Sequence, residues 1–303
     1  MRLPLVSLAL LFSCSDLQPR RQFNGEQGLR YVEQQMAFGP RIPGTAAHQR
    51  MAQWLDSLLH AKADTVVVQT WLHVTLKGDT LELRNFVARF NRAATNRVLY
   101  LAHWDTRPAS GPDSALDRSK PVSGANDGGS GVAVLLGVAD ALKATAPGIG
   151  VDLLFVDGED YGVFSDGANG GQYGPDVLIG STWYAAHQPA GPTPLFAILW
   201  DMVGDKDLQL HPESYSNLAA PEVVDRVWSA AEELNYGQYF NRTLRHTLID
   251  DHVSLQKVGI SAIDVVDFDY PYWHTPEDTL DKVSAESLKI VGDVALWVIR
   301  RTR

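Results

Sequence analysis

The sequence predicts a single α/β domain, with one mixed and mostly parallel central sheet flanked by helices on both faces. Three observations carry this expectation. A chain of 303 residues is about twice a typical domain length, yet single α/β domains reach that size. From Arg97 onward, short apolar runs alternate with apolar residues at helical spacing, which is the pattern of strand–helix–strand crossovers. Finally, 45% hydrophobic and 20% charged residues suit a chain that buries a large core, and exclude a disordered, collagen-like or multi-span membrane protein.

The chain opens with a segment that is not fold. Behind Arg2 an apolar run of ten residues, Leu3 to Phe12, is too short to span a bilayer and has the length of a secretory signal core. Leu11-Phe12-Ser13-Cys14 resembles a bacterial lipobox, in which the cysteine is acylated. The expected organisation is a signal peptide over 1–13, a lipidated Cys14, a polar tether over 14–24 and the folded domain over 25–303. The alternative is an ordinary cleaved signal, with Cys14 discarded. Either way export is expected; on the lipoprotein reading the protein would sit in the periplasm or at the outer membrane, touching lipid only through the Cys14 anchor.

Leu29, Val32 and Met36, then Met51, Leu55, Leu58 and Leu59, mark two amphipathic helices separated by the breaker-rich run Phe38 to Gly44. Thr65–Thr75 and Leu81–Phe90 read as an antiparallel hairpin turned at Lys77-Gly78-Asp79. Next come a strand over Val98–Ala102, a helix over about Ser130–Leu142, a strand over Val151–Val156, a helix near Ser181 and a strand over Phe196–Val203. A helix carrying Val223 to Leu234, a buried strand over Ile260–Val266 and a last helix carrying Leu288 to Val298 complete the domain.

In such sheets ligands bind beyond the carboxyl ends of the strands, and those ends are acidic here. They carry His103-Trp104-Asp105, Asp157-Gly158-Glu159-Asp160 and Asp201, followed by Asp250-Asp251-His252 and Trp273-His274. The glycine-rich Asn126 to Gly131 opens a helix beside them, where Asp127 serves as a metal ligand or as the helix cap. Adjacent acids such as Glu159 and Asp160 repel unless a cation or proton relieves them; a metal could take one and leave the other as general acid or base. Thr275 to Asp278 also reads as the capping box of a helix starting just after His274.

Other classes fall away on composition. With 26 Lys+Arg against 36 Asp+Glu the formal charge is −10, so nucleic acid is not an expected partner. The lone cysteine excludes an intramolecular disulfide framework and any cysteine-based zinc site, leaving His, Asp and Glu as metal ligands.

The strings HWDTRP (103–108), NDGGSG (126–131), DGED (157–160), DMVG (201–204), DDH (250–252) and PYWHTPED (271–278) together resemble the zinc-dependent aminopeptidase superfamily and its glutaminyl cyclase branch, in order, over roughly residues 25 to 300. The resemblance implies the zinc aminopeptidase-like α/β fold and a catalytic domain over 25–303. In the aminopeptidases, residues matching His103, Asp127, Asp160, Asp201 and His274 hold two zinc ions, and the match to Glu159 activates water. In the cyclases, matches to Asp127, Asp160 and His274 hold one zinc ion, while matches to Glu159, Asp201 and Asp250 share protons.

Asp250, where peptidases usually carry Ser, and Trp273, where they more often carry Tyr, favour the cyclase branch, as do the combined strings. The resemblance therefore implies a glutaminyl-peptide cyclotransferase that acts on peptide or protein N-termini beginning with Gln and releases ammonia. One zinc ion would polarise the γ-amide, with Glu159 as general base and acid. The alternative is an exported two-zinc aminopeptidase, with His103 and Asp201 on the second metal. Trp273 and Phe164 are the expected substrate-pocket residues; the glycine-rich loop supplies Phe164 but no Trp where animal cyclases have one.

Overall fold

The structure, a computed structural model, describes residues 23–111, 117–163 and 174–303. The signal segment, Cys14, most of the tether and Phe164 lie outside the described residues. Phe23 and Asn24, assigned above to the tether, belong to the folded body. Phe23 is buried, its N–H donates to Asp293, and the Asn24 side chain caps the first helix by accepting the Gln27 N–H.

That helix, α1 (Gly25–Met36), buries Tyr31 and Val32. The second, α2 (Ala46–Lys62), is capped by Thr45 and buries Met51, Leu55 and Leu59, one face of a 3.6-residue period. The hairpin follows as β1 (Thr65–Val74) and β2 (Thr80–Phe90), paired antiparallel from Thr65 opposite Arg89 to Val74 opposite Thr80. Then come β3 (Arg97–His103), α3 (Gly129–Ala144), β4 (Gly150–Val156), α4 (Ile179–Ala186) and β5 (Ala197–Asp201). The chain ends with α5 (Ser214–Ala219), α6 (Pro221–Glu233), α7 (Asp251–Gln256), β6 (Ala262–Val266) and α8 (Ala285–Arg301).

The six strands lie in the order β1-β2-β4-β3-β5-β6. β4, β3, β5 and β6 run parallel, and β2 joins them antiparallel through β4. The fold is thus the zinc aminopeptidase-like α/β domain expected from the sequence. Alternation along β3 sends Val98, Tyr100 and Ala102 into the core shared with α1, α2, α3 and α8, and Leu99 and Leu101 into the opposite layer with Tyr184 and Leu255. Helices on both faces explain why these strands read as continuous apolar runs.

Two features of this topology place the site. The four parallel strands end on one edge of the sheet, with His103 paired in register opposite Val156. Moreover, β2 pairs with β4 only through Phe86–Phe90, so Thr80–Asn85 and their β1 partners project past that edge. Trp71, Leu81 and Leu83 of the projection pack on Ile179, forming a wall beside the strand ends.

Two expectations need correction. No helix begins directly after His274: Thr275 to Glu277 form a bend and a turn, Asp278 and Thr279 are irregular, and a 3-10 segment occupies Leu280–Lys282. The Thr275 hydroxyl donates back to the Tyr272 carbonyl rather than capping a helix. Asp127 does not cap α3 either: Gly128 holds that position, without a side-chain hydrogen bond. Among the described residues, no helix is long and apolar enough to cross a membrane.

Candidate metal centre

Each strand end delivers one part of the centre. His103 closes β3, Glu159 and Asp160 follow β4, Asp201 closes β5, and the loop into α3 brings Asp127. His274 arrives from the turn after β6, with φ +56°, in the left-handed region; Met202, directly after Asp201, has φ +46°. The sequence gives no sign of either backbone excursion, because neither residue is the glycine that such geometry favours.

Two sets of ligand atoms converge. One oxygen or nitrogen from each of Asp127, Asp160 and His274 lies within 4.8 Å of the others, and the same holds for His103, Asp127 and Asp201. Asp127 is common to both. His274 Nε2 is 3.4 Å from Asp160 Oδ1 and 3.9 Å from Asp127 Oδ2. His103 Nε2 is 3.1 Å from Asp201 Oδ1 and 3.2 Å from Asp127 Oδ1. Gly128 makes the approach possible: its φ is +75°, and a Cβ there would come within 2.8 Å of His103 Cε1.

The donor set fits a divalent cation. Asp127 Oδ2 and Asp160 Oδ2 are buried without a hydrogen-bond partner, which is costly for carboxylates unless another positive group is to meet them. Two imidazoles and three carboxylates form a borderline-hard donor set of the kind zinc takes in cysteine-free sites. Asp127, Asp160 and His274 would hold one such ion; His103 and Asp201 could serve a second.

Electrostatics divides the acids by role. Burial pushes the Asp160 carboxyl up, but His274 and Arg107, the latter 2.8 Å away, overcome this and bring it down to about 2. Asp160 is thereby held ionised, the state in which a carboxylate can bind a metal. Glu159, in neither ligand set, goes the other way: burial first, then Asp250 and Asp160, raise it well above the ordinary carboxylate range, against the pull of His103. Burial followed by repulsion from Asp201 and Asp251 likewise raises Asp250, the half-buried cap of α7. Burial opposes the charged form of His103, yet Asp201, Asp105 and Asp127 hold it well above its usual pKa.

Other buried residues support the centre: Asp105 and Asp264 carry no role in the sequence expectations above, and Asp278 carries only that of a helix cap. Asp105 accepts the N–H groups of Glu159 and Asp160 at 3.0 and 3.2 Å and so aims both acids; its position two residues after His103 was the available signal. Asp278 accepts the N–H groups of Asn126 and Asp127 and the Tyr270 hydroxyl. Asp264 is buried within β6, and burial, then Asp250 and Asp201, raise its pKa well above normal. An acid inside an apolar strand run was the hint there. Trp273 stacks on the His274 ring at 3.9 Å between centroids and remains 39% exposed, whereas Trp104 is fully buried against His48.

A parallel sheet edge carrying two histidine–carboxylate sets that share one aspartate defines the class as zinc aminopeptidase-like. Peptidase family M28 matches residues 85–299, and the chain belongs to that family. Tannerella forsythia glutaminyl cyclase is 39% identical to it, with a TM-score of 0.85 over 93% of this chain and 100% of that one. A Zn-dependent exopeptidase from Parabacteroides distasonis is 38% identical, with a TM-score of 0.86 over 93% and 99%. Aminopeptidase YwaD of Bacillus subtilis is 26% identical over 209 residues, 65% of this chain but only 39% of that protein's length.

Proposed function

We propose that the protein is a glutaminyl-peptide cyclotransferase, closing the N-terminal glutamine of peptides into pyroglutamate with release of ammonia. The observation that carries the reading is the third acid of the group: Asp250 stands close enough to Asp201 and Glu159 to perturb Glu159, outside both ligand sets. Hydrolysis by an activated water has no evident use for that extra carboxyl, whereas a reaction confined to proton movements within the substrate does. Similarity to the Tannerella cyclase along almost the whole chain supports it.

Zinc held by Asp127, Asp160 and His274 would supply Lewis-acid polarisation of the γ-amide. Glu159, with its raised pKa, takes a proton from the substrate α-amine as that nitrogen attacks the side-chain amide carbon, then returns it to the amide nitrogen as the carbon–nitrogen bond breaks and ammonia departs. Asp250, its carboxyl raised well above the ordinary range by burial and then by Asp201 beside it, keeps a proton that it can donate to the leaving amide. Trp273, exposed beside His274, offers an apolar face to the substrate.

The His103–Asp127–Asp201 set favours a second reading, a two-metal aminopeptidase. Against it, His103 Nε2 is already within hydrogen-bond distance of Asp201, so the pair is satisfied without a metal. Incubation with a Gln-initiated and a Leu-initiated dipeptide, followed by mass spectrometry, separates the two. Loss of ammonia from the first with the second intact supports the cyclase; cleavage of either peptide bond overturns it. Metal analysis of the same protein counts the zinc ions.

A further inference from the structure

Arg41 lies in the breaker-rich link between α1 and α2, outside residues 85–299 that the family matches. A charged residue in such a link is expected at the surface, yet Arg41 is fully buried, among the largest fully buried side chains of the protein. Its guanidinium makes no ion pair within 4 Å among the described residues; it points instead at three backbone carbonyls. Nε donates to Trp104 at 3.1 Å, Nη1 to Ser123 at 3.1 Å and Nη2 to Gly124 at 2.7 Å.

Those carbonyls belong to two different loops. Trp104 directly follows His103, and Ser123-Gly124 enter the turn that delivers Asp127. Gly124 has φ +71°, and a Cβ there would come within 2.9 Å of Arg41 Nη2 and 2.8 Å of the Asp127 carbonyl, so the joint is close-packed on both sides. Gln35, also buried, donates from the end of α1 to the Gly129 carbonyl at 2.9 Å, bracing the same glycine-rich loop. The planar fork of a guanidinium can serve three separated acceptors at fixed angles, which an ammonium cannot.

We propose that Arg41 is a positioning residue for the metal centre: by clamping the Trp104, Ser123 and Gly124 carbonyls, it fixes the distance between the His103 and Asp127 loops and so the geometry in which Asp127 meets the ion. The N-terminal helical pair is then part of the metal site, although it supplies no ligand. This inference rests on the metal-centre reading above.

The test uses the full chain and Zn²⁺ alone, titrated against a competing chelator, with melting temperatures of the metal-free and zinc-loaded forms. In R41K, which keeps the charge and stem but not the fork, zinc affinity is expected to fall by about ten- to a hundredfold, the range seen when outer partners of metal ligands are lost. The melting-temperature gain on loading should shrink with it, and R41Q should behave like R41K. Zinc affinity unchanged in R41K, or a melting loss equal in both forms, overturns the clamp and leaves the metal reading standing. Recovery in R41K of the affinity lost in R41Q shows a role of charge alone and also overturns it. If neither variant folds, Arg41 holds the whole fold and the specific role is overturned. Wild-type protein that binds no zinc overturns the metal reading as well.

Discussion

The Asp278 carboxylate accepts the backbone N–H of Asp127 at 3.1 Å, across 151 positions of sequence. It also accepts the Asn126 N–H at 2.9 Å and the Tyr270 hydroxyl at 2.7 Å, so a single buried acid orients the loop bearing the residue common to both ligand sets. D278N keeps the shape but offers one acceptor oxygen where two are used. Stability should fall by about 1–3 kcal/mol, the usual cost of leaving a buried N–H unpaired, and zinc should bind more weakly. Urea unfolding and chelator competition check both; a variant equal to wild type in each would show that the loop stands without this acid.

Glu159 is assigned the proton transfers. E159Q preserves volume and removes the titrating group, so cyclisation should slow by about 10²- to 10⁴-fold while zinc content stays at the wild-type level. Turnover and metal analysis on one preparation are decisive: loss of zinc together with activity would make Glu159 a ligand instead.

His103 separates one-metal from two-metal chemistry. Under the cyclase reading H103A remains folded and zinc-bound, and loses far less activity than E159Q, because the residue supports Asp201 without touching substrate. Near-complete inactivation with the loss of one of two bound metals would instead favour the peptidase.

Asp267, directly after β6, gives a pH signature away from the ligands. Burial, then repulsion from Asp205 and Asp269, raises its carboxyl from the ordinary 3.8 to about 7, against the pull of the Gln209 N–H at 2.7 Å. Between those values the folded chain keeps a proton that the unfolded chain has released. Its contribution to stability is therefore complete below pH 3.8 and is lost as pH rises through about 7. D267N should flatten this decline and gain on the order of 1–4 kcal/mol over wild type at pH 8 relative to pH 4. Parallel pH–stability curves for the two proteins would refute the assignment.

Much of the architecture was legible because long apolar periods announce themselves: Leu288 to Val298 and the run Val98–Ala102 leave little choice of element. The six-residue helices α5 and α7 were not, since fewer than two turns carry no periodicity to read. Candidate ligands were visible as acids and histidines at strand ends, and the family resemblance implied how they divide. The supports were hidden by physics that local pattern does not encode. Arg41 looks like a surface residue until three distant carbonyls surround it. Asp278 fits a capping box so well that its long-range bonds to Asn126 and Asp127 leave no local trace.

His274 and Met202 both hold left-handed backbone angles without being glycine, at roughly 1–2 kcal/mol each. A programme selecting for heat resistance would accordingly be drawn to these two positions, where glycine relaxes the chain. Success there would be self-defeating: the relaxed backbone at 274 would carry no imidazole, and at 202 the neighbouring aspartate would lose its aim. Hardiness and competence compete at the very residues where the sheet hands over to its loops, so durable variants should be sought in the distant helices instead.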